Sequence, residues 1–300
     1  MNRIVVWGTG RDYSEHVRRL QCGVAVGEFD VVGVTSNDNW YHLLDGFPFL
    51  PKQTLMDVPH DYVLVTSWRH FADIRREYVT MGGNMERVLP ISVLDVANLT
   101  FSQVAELHQS KVSIIANNCW GGVTYHMLHM KFLSPFINMF VRDADYLALL
   151  HDFHQRMYQP LVYAGSGDDA VSHLHYPIFS LGGTHLHMNH DTDENRVSAV
   201  KKWEERLQRL NEDNLFFMMY TESEAAAEQF DALPLERKIC ITSFPTRLSS
   251  CMYAEPFARY NKPMGKPFWE TVNGMGKGAY PFYDVYELLM HGKKKYRTDL

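Results

Sequence analysis

Residues Ser113 to His126 read SIIANNCWGGVTYH, and the periodicity changes inside that stretch. The run through Ala116 predicts a short buried strand, and the spacing from Val123 onward predicts a helix. Asn117-Asn118-Cys119-Trp120-Gly121-Gly122 lies between them, at the carboxyl end of the strand. A strand that turns directly into a helix opens an α/β unit. The N–H groups of Gly121, Gly122 and the first helical turn would lack intrahelical acceptors, and the helix dipole adds positive potential, so this turn is expected to attract an anion. Cys119 beside it is expected to have a lowered pKa and to serve as a thiolate nucleophile; the other reading is a small apolar wall. Asn117 and Asn118 read as hydrogen-bonding ligands of a substrate.

The same alternation extends in both directions. Upstream, strands are predicted at 3–7, 28–35, 61–66 and 87–91, with helices over 13–20 and 71–81, the latter closed by Gly82-Gly83. Downstream, strands are predicted at 136–141, 215–220 and 238–242, a helix over 193–211 and another over 222–230. The expected fold is α/β with two domains, 1–108 and 109–300, each on a mostly parallel sheet and the first Rossmann-like. Three hundred residues, 46% hydrophobic, suit two cores. A formal charge of −6 disfavours a nucleic-acid binder, despite the basic cluster at 291–297. Cys22, Cys119, Cys240 and Cys251 form no C-x-x-C pair, which fits reduced thiols. With no signal peptide and no apolar run of membrane length, the expectation is a cytoplasmic protein without an integral membrane segment.

In the first domain, Gly8-Thr9-Gly10 follows a strand and precedes a helix, the position of a phosphate-binding turn. The third glycine of that pattern is replaced by Tyr13, so a scaffold that binds no dinucleotide stands beside the binding reading. The segments IVVWGTGRD, VVGVTSNDN, GFPFLP, DYVLVTS and GGNMERVLPI resemble the amino-terminal Rossmann-like domain of sugar acyltransferases and polysaccharide-biosynthesis proteins. The resemblance implies a nucleotide or nucleotide-sugar ligand, with Gly8, Gly10, Arg11 and Asp38 as its contacts, and names no cofactor.

In the second domain, His173, His175, His185 and His187 alternate on segments expected to be extended, which puts each pair on one strand face. Imidazoles so placed can clamp a metal, but Asn189 stands where the H-x-H-x-D-H pattern of metallo-hydrolases needs a carboxylate, and no residue is assigned as a metal ligand. The helix over 193–211 is expected to bury Val197, Val200, Trp203, Leu207 and Leu210. Arg206 and Arg209 beside Trp203 suit a phosphate or a pyranose ring, or else Glu205 and Arg209 form an ordinary surface pair. Arg247 follows a strand at its ligand-binding end and is a secondary candidate.

NNCWGG, FLSPFINMFV, DYLALL, His190 and KKWEERLQRLNEDNLFFMM resemble a bacterial family of unknown function often labelled exopolysaccharide-biosynthesis proteins. The resemblance covers most of 111–220. It implies a functional set of Asn117, Asn118, Cys119, Trp120, Gly121, Ser134, Pro135, His190, Trp203, Arg206, Arg209 and Asn214, with Asp191 where the family has an aromatic.

The leading expectation is therefore an enzyme of cell-surface polysaccharide assembly that transfers a sugar, phosphoryl or acyl group from an activated donor. His190 would be the general base, Cys119 nucleophile or wall, and the turn at Gly121-Gly122 with Arg206 and Arg209 the donor-phosphate site. The partner would be a nucleotide-sugar or another phosphorylated small molecule, and a homo-oligomer is compatible with the sequence. Two other readings are a non-catalytic nucleotide-sugar sensor or assembly factor, and a metal-dependent hydrolase.

Overall fold

The computed structural model describes residues 1–37, 42–96, 99–168, 175–253 and 283–294. It divides into two compact units, Met1–Gln109 and Ser110–Leu300. Both mix helices with parallel sheets.

The first unit contains β1 (Asn2–Trp7), α1 (Arg11–Ala25), β2 (Phe29–Thr35), a short hairpin of β3 (Leu43–Leu44) and β4 (Phe47–Pro48), β5 (Tyr62–Val65), α2 (Phe71–Thr80), β6 (Val88–Pro90) and α3 (Phe101–Ser110). Its main sheet has the order β2-β1-β5-β6, with every neighbour parallel. Ile4 to Val6 and Val63 to Val65 are buried on both faces, which explains why these strands read as apolar runs without alternation. At the carboxyl end of β1 the chain turns at Gly8, where φ is +115° and an added Cβ would stand 2.2 Å from Thr66 Oγ1. Only glycine fits there.

The second unit holds β7 (Ser113–Ala116), α4 (Trp120–Met127), β8 (Phe140–Val141), α5 (Asp143–His151), α6 (Phe153–Met157), β9 (Leu161–Asp168), β10 (His175–Leu181), β11 (Thr184–His187), α7 (Arg196–Leu207), β12 (Leu215–Thr221), α8 (Glu224–Ala232), β13 (Lys238–Thr242), β14 (Cys251–Tyr253) and α9 (Val285–His291). A parallel sheet has the order β14-β13-β12-β7. A second sheet, β8-β11-β10-β9, is antiparallel throughout. The sequence pointed to a strand at 136–141 and to extended segments at the histidine pairs, but to one mostly parallel sheet and not to a separate antiparallel one. One apolar core serves both sheets, with Ile115, Phe217, Met219 and Cys240 from the first and Phe179, Leu181 and Leu186 from the second.

The two sheets meet at Asn117. Its N–H donates to the Met218 carbonyl and its own carbonyl accepts from Val141 N–H. Its side chain reaches further: Nδ2 donates to the Tyr220 carbonyl and Oδ1 accepts from Tyr220 N–H, both at 2.9 Å. The side-chain amide thus acts as one more peptide group, extending the β7–β12 ladder past the end of β7. Tyr146 of α5 reinforces the joint, its hydroxyl lying 2.7 Å from the Ile115 carbonyl and 3.0 Å from that of Met218.

Replacing Asn117 by leucine keeps its volume and strands both backbone groups of buried Tyr220, at about 1–3 kcal/mol each. We predict that Asn117→Leu lowers the unfolding free energy by about 3 kcal/mol. Denaturant titration of the full chain measures this, and a loss below about 0.5 kcal/mol, the level of a neutral surface change, would show that the amide carries no such role.

Candidate functional site

Asn117 fixes where the chain leaves the sheet, and the next two residues form the site. Asn118 Oδ1 accepts from Trp120 N–H at 2.9 Å, which sets the turn into α4. Cys119 occupies the position preceding the first helical residue. Its Sγ lies 3.7 Å from His190 Nε2 and 4.0 Å from the Met139 carbonyl oxygen. His190 follows β11 in an exposed loop. The structure therefore brings together a thiol and an imidazole 71 residues apart.

Cys119 is half-buried, and desolvation pushes its thiol up to about 11. This corrects the expectation of a lowered value: the loss of hydration outweighs the positive potential of the short helix behind it. The resting group is a neutral thiol, and with the Nδ1–H tautomer of His190, Nε2 can accept its proton. Two polar atoms on the residues that precede Cys119 and His190 in the chain are sealed from solvent with no hydrogen-bond partner, Asn118 Nδ2, a donor, and Asn189 Oδ1, an acceptor. Such atoms carry a desolvation cost that a bound group can relieve.

The lysine of α7 next to Trp203 secures the His190 loop, with Lys202 Nζ 2.7 Å from Asp191 Oδ1. On the other side, residues 134–139 form a tight connection: Ser134 Oγ accepts from Phe136 N–H, Ile137 N–H donates to the Pro135 carbonyl, and Asn138 adopts φ +59°. Arg206 Nη1 donates to the Ile137 carbonyl at 3.4 Å, and its guanidinium lies 5.8 Å from the Phe132 ring centre. Arg209 follows in the turn that closes α7. Sequence reading missed Met139 and Phe132, and weighed Asn189 only as a break in a metal-binding pattern. The carbonyl of Met139 leaves no trace in side-chain type, although Asn138 is a residue type that tolerates a positive φ.

Several expected ligands have structural duties instead. Asn117 spends its amide on Tyr220. Trp120 is fully buried, its Nε1 donating to the Tyr283 hydroxyl at 3.2 Å. Gly121 and Gly122 are buried where α4 packs, and a Cβ at Gly121 would stand 2.9 Å from Ile114 Cγ2. These glycines permit close helix packing and do not form an open anion cradle. Trp203 is a core residue, edge-on to Phe136. Asn214 Nδ2 donates to the Ser110 carbonyl and its Oδ1 accepts from Arg237. Val197, expected in the buried stripe, is 85% exposed, and Ala199 takes its place. Arg247 is exposed after β13.

The histidine run divides among three environments. His173 lies outside the described residues. His175 is paired with Asp168 at 2.5 Å and His185 with Asp145 at 3.3 Å, both exposed. His187 is buried, stacked on Phe140 at 4.4 Å, and burial together with Arg142 lowers it to about 4, so it is uncharged at neutral pH. Among the described residues no group of three or more His, Cys, Asp or Glu could hold a metal ion, which leaves the metal-hydrolase reading without a donor set there. In the first unit, Gly8 and Gly10 flank the turn into α1, Arg11 is exposed and paired with Glu15 at 2.7 Å, and Asp38 lies outside the described residues. No helix among the described residues is long and apolar enough to cross a membrane.

Residues 91–287 match the family model described as Domain of unknown function (DUF1919), and residues 1–89 match the model described as C2185-like, N-terminal. The chain is also similar to an uncharacterized protein of Haemophilus influenzae (strain ATCC 51907 / DSM 11121 / KW20 / Rd), 30% identical over 191 residues, which is 62% of this chain and 87% of the relative.

A thiol pushed up to about 11 is ionised at pH 7 in only about one molecule in 10,000. Alkylation of Cys119 by iodoacetamide should therefore rise about tenfold per pH unit from 7 towards 10. Peptide-resolved mass spectrometry against time measures the rate, and a plateau below pH 8 would mean that Cys119 rests as a thiolate.

Proposed function

The chain belongs to the DUF1919 family, and we propose that it is a cysteine-dependent acyltransferase, with Cys119 the nucleophile and His190 its base. The observation that supports this is the 3.7 Å approach of Cys119 Sγ to His190 Nε2, next in the chain to Asn118, whose Nδ2 has no hydrogen-bond partner. Of the three transfers that the sequence suggested, acyl transfer makes use of all three groups. A carbonyl carbon accepts a sulfur nucleophile readily, and the oxygen that becomes negative needs a preorganised donor.

In the first half-reaction His190 Nε2 takes the thiol proton as Sγ bonds to the carbonyl carbon of the donor. The Asn118 amide stabilises the negative oxygen. As the bond to the leaving group breaks, His190 returns the proton to it, leaving a thioester on Cys119. In the second half-reaction a hydroxyl attacks that thioester. His190 takes the hydroxyl proton, the C–S bond breaks, and the proton passes to sulfur. The high resting pKa of the thiol suits this sequence, because proton transfer to His190 is coupled to attack and no exposed thiolate waits for oxidants.

The acceptor is the hydroxyl of a sugar in cell-surface polysaccharide assembly, a reading that rests on the resemblance of the sequence to polysaccharide-biosynthesis proteins. The first unit, with four parallel strands and the Gly8–Gly10 turn, suits a Rossmann-like nucleotide or nucleotide-sugar site at the carboxyl ends of β1 and β5.

Release of free thiol from a panel of short-chain acyl thioesters, followed with and without sugar acceptors, tests the reading. Wild type should show acceptor-stimulated release, Cys119→Ala should abolish it, and His190→Ala should slow it by about 10²–10⁴-fold. Equal rates in wild type and Cys119→Ala would overturn the assignment and favour the assembly-factor reading.

A further inference from the structure

Arg206 and Arg209 stand three residues apart at the carboxyl end of α7, Arg209 N–H donating to the Arg206 carbonyl. A helix carboxyl end welcomes positive charge, so their location alone demands no ligand. Their surroundings do. Burial and the charge of Arg209 both push the Arg206 guanidinium below its usual range, although it remains charged. Its hydrogen bond is a long one to a neutral carbonyl, at 3.4 Å. Arg209 Nε is sealed from solvent with no partner. The acids whose charges reach Arg206, Asp191 and Glu205, pair with lysines instead, Lys202 at 2.7 Å and Lys201 at 3.9 Å. Among the described residues neither guanidinium forms an ion pair.

Two partly desolvated like charges with unspent donors are costly to keep together. An anion between them would relieve the repulsion and satisfy the open N–H groups. We propose that Arg206 and Arg209 form a subsite for a phosphate group carried by the small molecule that reacts at Cys119. Phosphate fits better than carboxylate on charge. A phosphate monoester carries about −1.5 to −2 at neutral pH and offsets both guanidiniums, while a carboxylate offsets one. The planar Arg fork also matches phosphate oxygens two at a time.

The subsite lies within reach of the thiol. Arg206 holds the Ile137 carbonyl and Cys119 Sγ stands against that of Met139, and those residues are separated by at most about 7 Å of chain. Asp191, whose charge acts on Arg206, adjoins His190. A phosphate held by the pair therefore anchors one end of a small molecule whose other end meets the thiol. The role given to the phosphate-bearing molecule rests on the acyl-transfer reading, but the anion site itself does not.

Isothermal titration of the full chain with inorganic pyrophosphate, and with acetate as the carboxylate control, tests the subsite. Wild type should bind pyrophosphate at least tenfold more tightly than acetate. Arg209→Gln should weaken pyrophosphate binding tenfold or more, and Cys119→Ser should leave it unchanged. Arg209 makes no side-chain hydrogen bond or ion pair among the described residues, so its replacement should not impair folding, and circular dichroism checks this. Arg209→Lys keeps the charge without the fork and should give intermediate binding, which preserves the test if the glutamine variant misfolds. Equal pyrophosphate affinity in wild type and both variants, or acetate bound as tightly as pyrophosphate, would overturn the proposal. The phosphate could belong to the acyl donor or to the acceptor: Arg209-dependent binding of 4′-phosphopantetheine would assign it to the donor, and of a hexose 1-phosphate to the acceptor. Arg209-dependent pyrophosphate binding without acylation of Cys119 would keep the subsite and remove the acyl-transfer reading. Acylation of Cys119 with no Arg209-dependent anion binding would do the reverse.

Discussion

The second unit depends on the side-chain amide of Asn117. At the end of β7 the chain must leave one sheet, serve another and begin a helix within a few residues. Asn117 meets that demand with four hydrogen bonds, two from its backbone to Met218 and Val141 and two from its side chain to Tyr220. Buried polar groups of this kind are costly when half satisfied and rigid when fully satisfied. Here every polar atom of Asn117 has a partner, so Asn118 and Cys119 leave the sheet in one direction. The glycines that follow let α4 pack directly on Ile114 and Ile137.

The chemistry of Cys119 follows from a contest between two electrostatic effects. A helix amino terminus favours a negative charge by about 1 kcal/mol. Burial works against it, and the rise of the thiol from 9.0 to about 11 corresponds to about 3 kcal/mol. Burial wins, and the thiol keeps its proton until a base removes it. His190 is the only side chain among the described residues within hydrogen-bonding distance of the sulfur. The same desolvation acts on Arg206 and leaves Arg209 Nε without a partner. The thiol and Arg206 share the connection at 134–139, so a molecule bridging thiol and arginines would settle both costs.

What the sequence made legible depended on how local the cause was. The apolar runs at β1, β5, β12 and β13 were readable because parallel strands covered on both faces need continuous apolar residues. The helix over 193–211 was readable in type and, but for its first turn, in phase: Trp203 is buried and Val200, Leu207 and Leu210 pack on the core, while Val197 does not. Its first three residues form a tighter 3-10 turn at Asp193–Asn195, and within the α-helix Val197 stands about 120° around the axis from Trp203, off the buried stripe, and points to solvent. The strand expected at 136–141 contracts to Phe140–Val141, because residues 134–138 are occupied by a turn that Ser134, Pro135 and the positive φ of Asn138 define. The pairing of the antiparallel sheet gave little signal, since β9 carries two glycines and no fully buried residue. At the site, Cys119, His190, Arg206 and Arg209 were legible as residue types. The partners that decide their behaviour were not: the amide of Asn117 finds Tyr220 across 103 positions, and the thiol finds His190 across 71. Only the fold brings them together.

The most direct test is a single-turnover experiment read by intact-protein mass spectrometry. The purified chain is mixed with a short-chain acyl thioester, without acceptor, and quenched in acid on a time series. The account predicts one acyl adduct per chain, mapped to Cys119, forming much more slowly in His190→Ala. Failure of any adduct to form on Cys119, or its formation at the same rate in wild type and His190→Ala, would contradict the claim that this thiol and this imidazole work as a unit.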